Sequence, residues 1–124
     1  MNSPEIKATD ISALNKITIV KVRGYLDVIT AEALESTLDT VKNSKCYKII
    51  LDLDEVEYIG SMAWSIFLNT IKELRDHNGD LKLAQMHPNV FEVYKLLEFF
   101  WFLKAYKTIE EAVSDFKLEV QPMP

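Results

Sequence analysis

Residues 47–64 read Tyr47-Lys48-Ile49-Ile50-Leu51-Asp52-Leu53-Asp54-Glu55-Val56-Glu57-Tyr58-Ile59-Gly60-Ser61-Met62-Ala63-Trp64, and the rest of the chain arranges itself around them. Tyr47 to Leu53 is a largely apolar run, as expected of a central strand covered on both faces. A short acidic connection then leads to a Gly-Ser step. Beyond it Trp64, Phe67, Leu68, Ile71 and Leu74 recur at helical spacing, which predicts a helix from Ser61 to about His77. Ser61 would therefore stand at a helix N-terminus, beside unpaired backbone N–H groups and the positive end of the dipole. A serine so placed can be a plain N-cap. It can equally be a phosphorylation site, since an anion is tolerated there.

Working outward, Ile17 to Arg23 is β-branched and partly alternating, so it reads as a strand, with Ile6 to Asp10 as an edge partner. Gly24 is expected to break that strand. Thr30 is a candidate N-cap for a helix through about Asn43, with Ala31, Leu34, Leu38 and Val41 on one face. On the other side, His77-Asn78-Gly79-Asp80 is a turn signal and Leu81 to Met86 a strand. Pro88 suits the first position of a short helix carrying Val90, Val93 and Leu97. Phe102 to Tyr106 follows as a short strand. Thr108 and Glu111 then form a capping box that opens a last helix, with Ile109, Ala112, Val113 and Phe116 inward. Strands alternating with helices after an opening hairpin predict an α/β fold with helices packed on a mixed sheet.

At 124 residues the chain has the length of one domain with a real core. Its 48% hydrophobic and 27% charged content excludes a disordered chain. A net charge of -5, with no Lys/Arg cluster to offset it, argues against nucleic acid as a partner. Cys46 is the one cysteine, which rules out an intramolecular disulfide; with only His77 and His87 beside it, a structural zinc site is not expected. No secretory leader and no apolar run of membrane-spanning length is evident, so a cytoplasmic setting is expected.

Few residues suggest chemistry. Ile50-Leu51-Asp52-Leu53-Asp54 resembles the pattern of phosphohydrolases that form an aspartyl-phosphate with magnesium, with Asp52 as nucleophile and Asp54 as acid/base. The bland reading is a strand end running into solvated acids. His77 and His87 read as turn or cap residues, and Cys46 as a small buried hydrophobe. With glycine only at 24, 60 and 79, there is no phosphate-binding loop. Phe99-Phe100-Trp101-Phe102 stands apart, because four consecutive aromatics cannot all face one core. Some of that area is exposed or covered by a partner.

Three blocks of the chain resemble the STAS domain, and within it the single-domain anti-anti-sigma factors, also called anti-sigma factor antagonists. Gly24-Tyr25-Leu26-Asp27 with Thr30-Ala31-Glu32 is similar to the family's approach to its first helix. Tyr47 to Ile59 is similar to its central strand, and Gly60-Ser61 stands where the family has Asp-Ser before a small residue and Gly. The chain departs there: Gly60 replaces the Asp, Met62 the small residue, Ala63 the Gly and Trp64 the usual Leu. Phe100 and Trp101 likewise replace small residues.

The resemblance implies a single STAS domain over 1–124 with its core at about 6–116. Its mixed sheet would have four to five strands, with about four helices on it. It implies partner switching without catalysis, cofactor or metal. The unphosphorylated protein would bind an anti-sigma factor that is also a serine kinase of the histidine-kinase-like ATPase type, and a serine phosphatase would reverse the kinase. Ser61 would be the phosphoacceptor. Gly24, Tyr25, Leu26, Asp27 and Thr30 would form the partner-facing rim with Gly60, Met62 and Trp64, and Trp101 would extend it or mediate self-association. The alternative within the same resemblance is a constitutive STAS adaptor subunit of a larger complex, such as a lipid-transport ATPase or a stress-signalling scaffold.

Overall fold

The computed structural model describes residues 5–12 and 16–119. Among these residues five strands form one sheet in the order β1-β2-β3-β4-β5: Glu5–Ser12, Ile17–Leu26, Lys48–Ile59, Asp80–Ala84 and Lys104–Tyr106. β1 runs antiparallel to β2; every later neighbour is parallel. Four helices among the described residues connect or follow them: α1 (Val28–Asn43), α2 (Ser61–Arg75), α3 (Pro88–Leu96) and α4 (Ile109–Glu119). A single 3-10 turn, Phe99–Trp101, lies between α3 and β5.

Side-chain alternation along β3 sorts the helices onto two faces. Ile49, Leu51 and Leu53 point into the main core with Leu34 and Leu38 of α1, Phe67 and Leu74 of α2, and Val90 and Tyr94 of α3. Ile50 points the other way, into a smaller core with Ile17, Ala84 and the α4 residues Ala112 and Phe116. That is the two-sided cover which a continuous apolar strand predicts. The Thr108–Glu111 capping box also forms, with the Glu111 N–H donating to Thr108 Oγ1 at 3.1 Å.

Several boundaries differ from the sequence reading, each for a physical reason. Gly24 does not end β2. It takes φ +92°, which glycine alone adopts without strain, and the strand continues to Leu26 through two register shifts. The acidic stretch after Leu53 is strand too. β4 stops opposite Asp52, so from there to Ile59 β3 pairs with β2 alone, and its exposed residues are Asp54, Glu57 and Tyr58. Asp27, not Thr30, caps α1: its Oδ1 accepts from the Thr30 N–H at 3.0 Å and from the Thr30 hydroxyl at 3.1 Å. Gly60, not Ser61, is the N-cap of α2, which closes at Arg75. β4 ends at Ala84, because Gln85 turns into the left-handed region. In α3 the inward pair is Val90 and Tyr94; Val93 and Leu97 are exposed.

Candidate functional site

The C-terminal ends of β2 and β3 lie side by side, Leu26 paired with Ile59. One backbone bond ties them beyond the last pair, from the Gly60 N–H to the Leu26 carbonyl at 2.9 Å. The turn into α1 and the first turn of α2 therefore share one edge of the sheet. Ser61 is the first residue of α2 and exposed, and its hydroxyl makes no hydrogen bond among the described residues. Gly60 brings no side-chain cap and the first turn carries no acid, so the dipole's positive end is left to solvent.

Exposed apolar side chains stand at the same edge of the sheet. Tyr25 and Tyr58, from the paired strands, are both more than half exposed, with ring centroids 6.2 Å apart. Met62 is exposed beside Ser61, and Val28 and Ile29 project from the first turn of α1, Ile29 at 73%. Helix first turns ordinarily favour acids, so two large aliphatics in water there are unusual. Asp27 adds one fixed negative charge. The backbone and side-chain hydrogen bonds from Thr30 hold its carboxyl below the ordinary value of 3.8.

The expected rim residues separate into two groups. Tyr25, Asp27, Ser61 and Met62 are on the surface, with Gly24 and Gly60 half-exposed between them. Leu26 and Thr30 are buried supports, the latter through its bonds to Asp27. Trp64, 4% exposed, stacks on Phe99 at 4.5 Å and meets Phe67 edge-on at 5.5 Å, so its ring belongs to the core beneath the rim. Trp101 is 73% exposed and neighbours Phe100 on the 3-10 turn, beyond Phe99. Of the four aromatics, Phe99 alone is largely covered, while Phe100, Trp101 and Phe102 remain in water. The sequence reading did not single out Val28, Ile29 and Tyr58; the lack of any acid in the first turn after Asp27 was the available signal for the first two.

Asp52 is buried and occupied as an acceptor: its Oδ1 takes the Gln85 Nε2 hydrogen at 2.8 Å and the Asp54 N–H at 3.1 Å, with Lys21 3.7 Å from Oδ2. It lies inside a continuous strand, not at a strand end. His87 is the N-cap of α3 and bonds the Asp54 carbonyl, and His77 stacks on Tyr47 at 4.1 Å. Cys46 is half-buried against the main core. Among the described residues no group of His, Cys, Asp and Glu could hold a metal, and no helix is long and apolar enough to cross a membrane.

Comparison with known proteins bears on the family and the fold. The family model described as the STAS domain matches residues 8–112. BtrV of Bordetella bronchiseptica, assigned as an anti-sigma factor antagonist, is 28% identical over 104 residues, covering 84% of this chain and 90% of its own. The anti-sigma-B factor antagonist of Staphylococcus aureus is 27% identical over 82 residues, 66% of this chain and 76% of that one. Among solved structures, an anti-sigma factor antagonist from Mycobacterium paratuberculosis superposes with a TM-score of 0.82 at 23% identity, covering 93% and 95% of the two chains.

Proposed function

The chain belongs to the STAS domain family, and from that premise we propose that it is an anti-sigma factor antagonist, a non-catalytic regulator working in the cytoplasm by binding an anti-sigma factor. Relatives bearing that name support the reading. The observation that carries it is the unbonded Ser61 hydroxyl at the start of α2, on a sheet edge that also exposes Tyr25, Val28, Ile29, Tyr58 and Met62. Such a surface suits a protein partner: aromatic and aliphatic anchors share one edge with a small polar point.

Control by phosphorylation of Ser61 is part of the proposal. The partner would be an anti-sigma factor that is also a serine kinase, opposed by a serine phosphatase. A phosphate adds about −1.5 to −2 charge and needs hydration. At Ser61 it would satisfy the free N–H groups of α2, so the fold keeps it. The same charge would stand on an edge whose apolar side chains a partner must cover, together with the Asp27 carboxylate. Binding would be lost without unfolding.

The test is calorimetric titration of the purified anti-sigma factor from the same genome with wild type, Ser61→Ala and Ser61→Asp. Wild type and Ser61→Ala are expected to bind alike, and Ser61→Asp at least about tenfold more weakly. Equal binding by all three would remove the switch and leave an unregulated binding module. Absence of binding by wild type would remove the antagonist reading itself.

A further inference from the structure

A crevice opens at the same edge of the sheet, one strand further on. The chain leaves β4 into α3, on the three-helix face, and leaves the adjacent parallel β5 into α4, on the opposite face. Where neighbouring parallel strands send their connections to opposite faces, a cleft forms beyond their C-terminal ends, and open α/β sheets bind ligands there. A cavity of about 440 Å³ occupies that place. Its size falls within the roughly 300–1,000 Å³ of small-molecule sites.

Met86, Pro88 and Phe91 wall it from the β4–α3 side, and Ala105 and Tyr106 from β5. Gln85 and Lys107 bring the polar ends. Gln85 sits at φ +64°, a conformation held by its N–H to the Tyr106 carbonyl at 3.0 Å and by Nε2 to Asp52 at 2.8 Å. Nε2 spends one of its two hydrogens on Asp52, so the other N–H and the amide oxygen remain. Lys107 is exposed and forms no ion pair among the described residues.

We propose that this crevice binds a small amphipathic acid, its flat apolar body between Phe91, Met86 and Tyr106 and its carboxylate on Lys107 Nζ. A cationic ligand would meet Lys107 and find the Asp52 carboxylate already engaged by Gln85 and Lys21. A phosphate ester would find one lysine and no glycine-rich loop in the lining. The inference is independent of the antagonist reading.

The experiment is nuclear magnetic resonance titration of the isotope-labelled full chain with phenylbutyrate, phenylbutylamine and phenylbutanol. Phenylbutyrate is expected to give saturable shifts at Gln85, Met86, Ala105 and Lys107, with a Kd of roughly 1 mM or below. The amine is expected to bind at least about tenfold more weakly, and Lys107→Glu to weaken the acid by about the same factor. Ala105→Phe, which fills the crevice, should abolish the shifts; should it fail to fold, the exposed Lys107→Glu carries the test. Equal affinity for acid and amine, an unchanged affinity in Lys107→Glu, or shifts confined to Phe99–Phe102 would overturn the proposal.

Discussion

The Leu26 carbonyl limits what residue 60 can be. A Cβ built on Gly60 would lie 3.3 Å from the Leu26 carbonyl oxygen, 3.4 Å from Tyr58 Cε2 and 3.5 Å from its hydroxyl. The Gly60 backbone is ordinary extended chain at φ −82°, so space, not torsion, favours glycine. The aspartate common in the family's motif would therefore crowd the Leu26 carbonyl, while its contact with the Tyr58 ring would be ordinary van der Waals packing. Gly60→Asp is expected to cost about 1 kcal/mol, read as a fall of several degrees in Tm. Adding Tyr58→Ala should not recover that loss, because the tight contact is with backbone; full recovery would place the strain at the Tyr58 ring. Gly24 is the opposite case, with open space around its Cβ position and a backbone at φ +92° that side chains rarely adopt.

At the scale of elements, the first turn of α1 and the 3-10 turn each expose apolar area that stability does not require. An acid near a helix N-terminus is worth about 0.3–1 kcal/mol, yet α1 presents Val28 and Ile29 there. Ile29→Glu is thus expected to leave thermal stability unchanged or slightly raised while weakening anti-sigma factor binding; a matching loss of Tm would make Ile29 structural. The Phe99–Trp101 turn divides its work by residue. Phe99 stacks on the buried Trp64, whereas Trp101 touches Phe100 and donates Nε1–H to Glu98 at 3.4 Å. Trp101→Ala should change folding stability by no more than about 0.5 kcal/mol in a denaturant titration. It should also reduce self-association or partner binding. A large stability loss with binding intact would return Trp101 to the core.

Across the whole molecule, the two faces of the sheet are held differently. The three-helix face is a broad apolar core, while the α4 side combines a small one with the fully buried Lys82. Lys82 Nζ lies 3.2 Å from Asp115 and 3.1 Å from the Tyr106 hydroxyl, above the Phe116 ring. The hydrogen bond from Tyr106, and then Lys82, hold the Asp115 carboxyl below its ordinary value of 3.8. A depressed folded-state value stabilises the fold above about pH 3.8, and that contribution is lost as pH falls through the folded-state value. Arg23 likewise lowers Glu55 from 4.5. Stability should therefore decline on acidification below about pH 4.5, and Asp115→Asn should flatten the part below about 3.8. Thermal melts across pH 2.5 to 6, set roughly around these values, check it; an unchanged acid limb would exclude Asp115 as a contributor.

The sequence by itself determined the order of strands and helices, the two-faced central strand, the inward faces of α1, α2 and α4, and the position of Ser61 at a helix start. Those follow from periodicity, capping chemistry and apolar runs, which depend on neighbours a few residues away. Only the tertiary structure decided that β2 and β3 run on to Leu26 and Ile59, because that extension rests on pairing between segments some 30 residues apart. It also decided which rim residues reach solvent. Helical spacing already turned Trp64 inward, against its expected place in the rim, whereas neither composition nor spacing says that the chain leaves Ile29 uncovered. The crevice between β4 and β5 belongs to the same class, since it exists only because α3 and α4 depart to opposite faces, a choice made by packing on the assembled sheet.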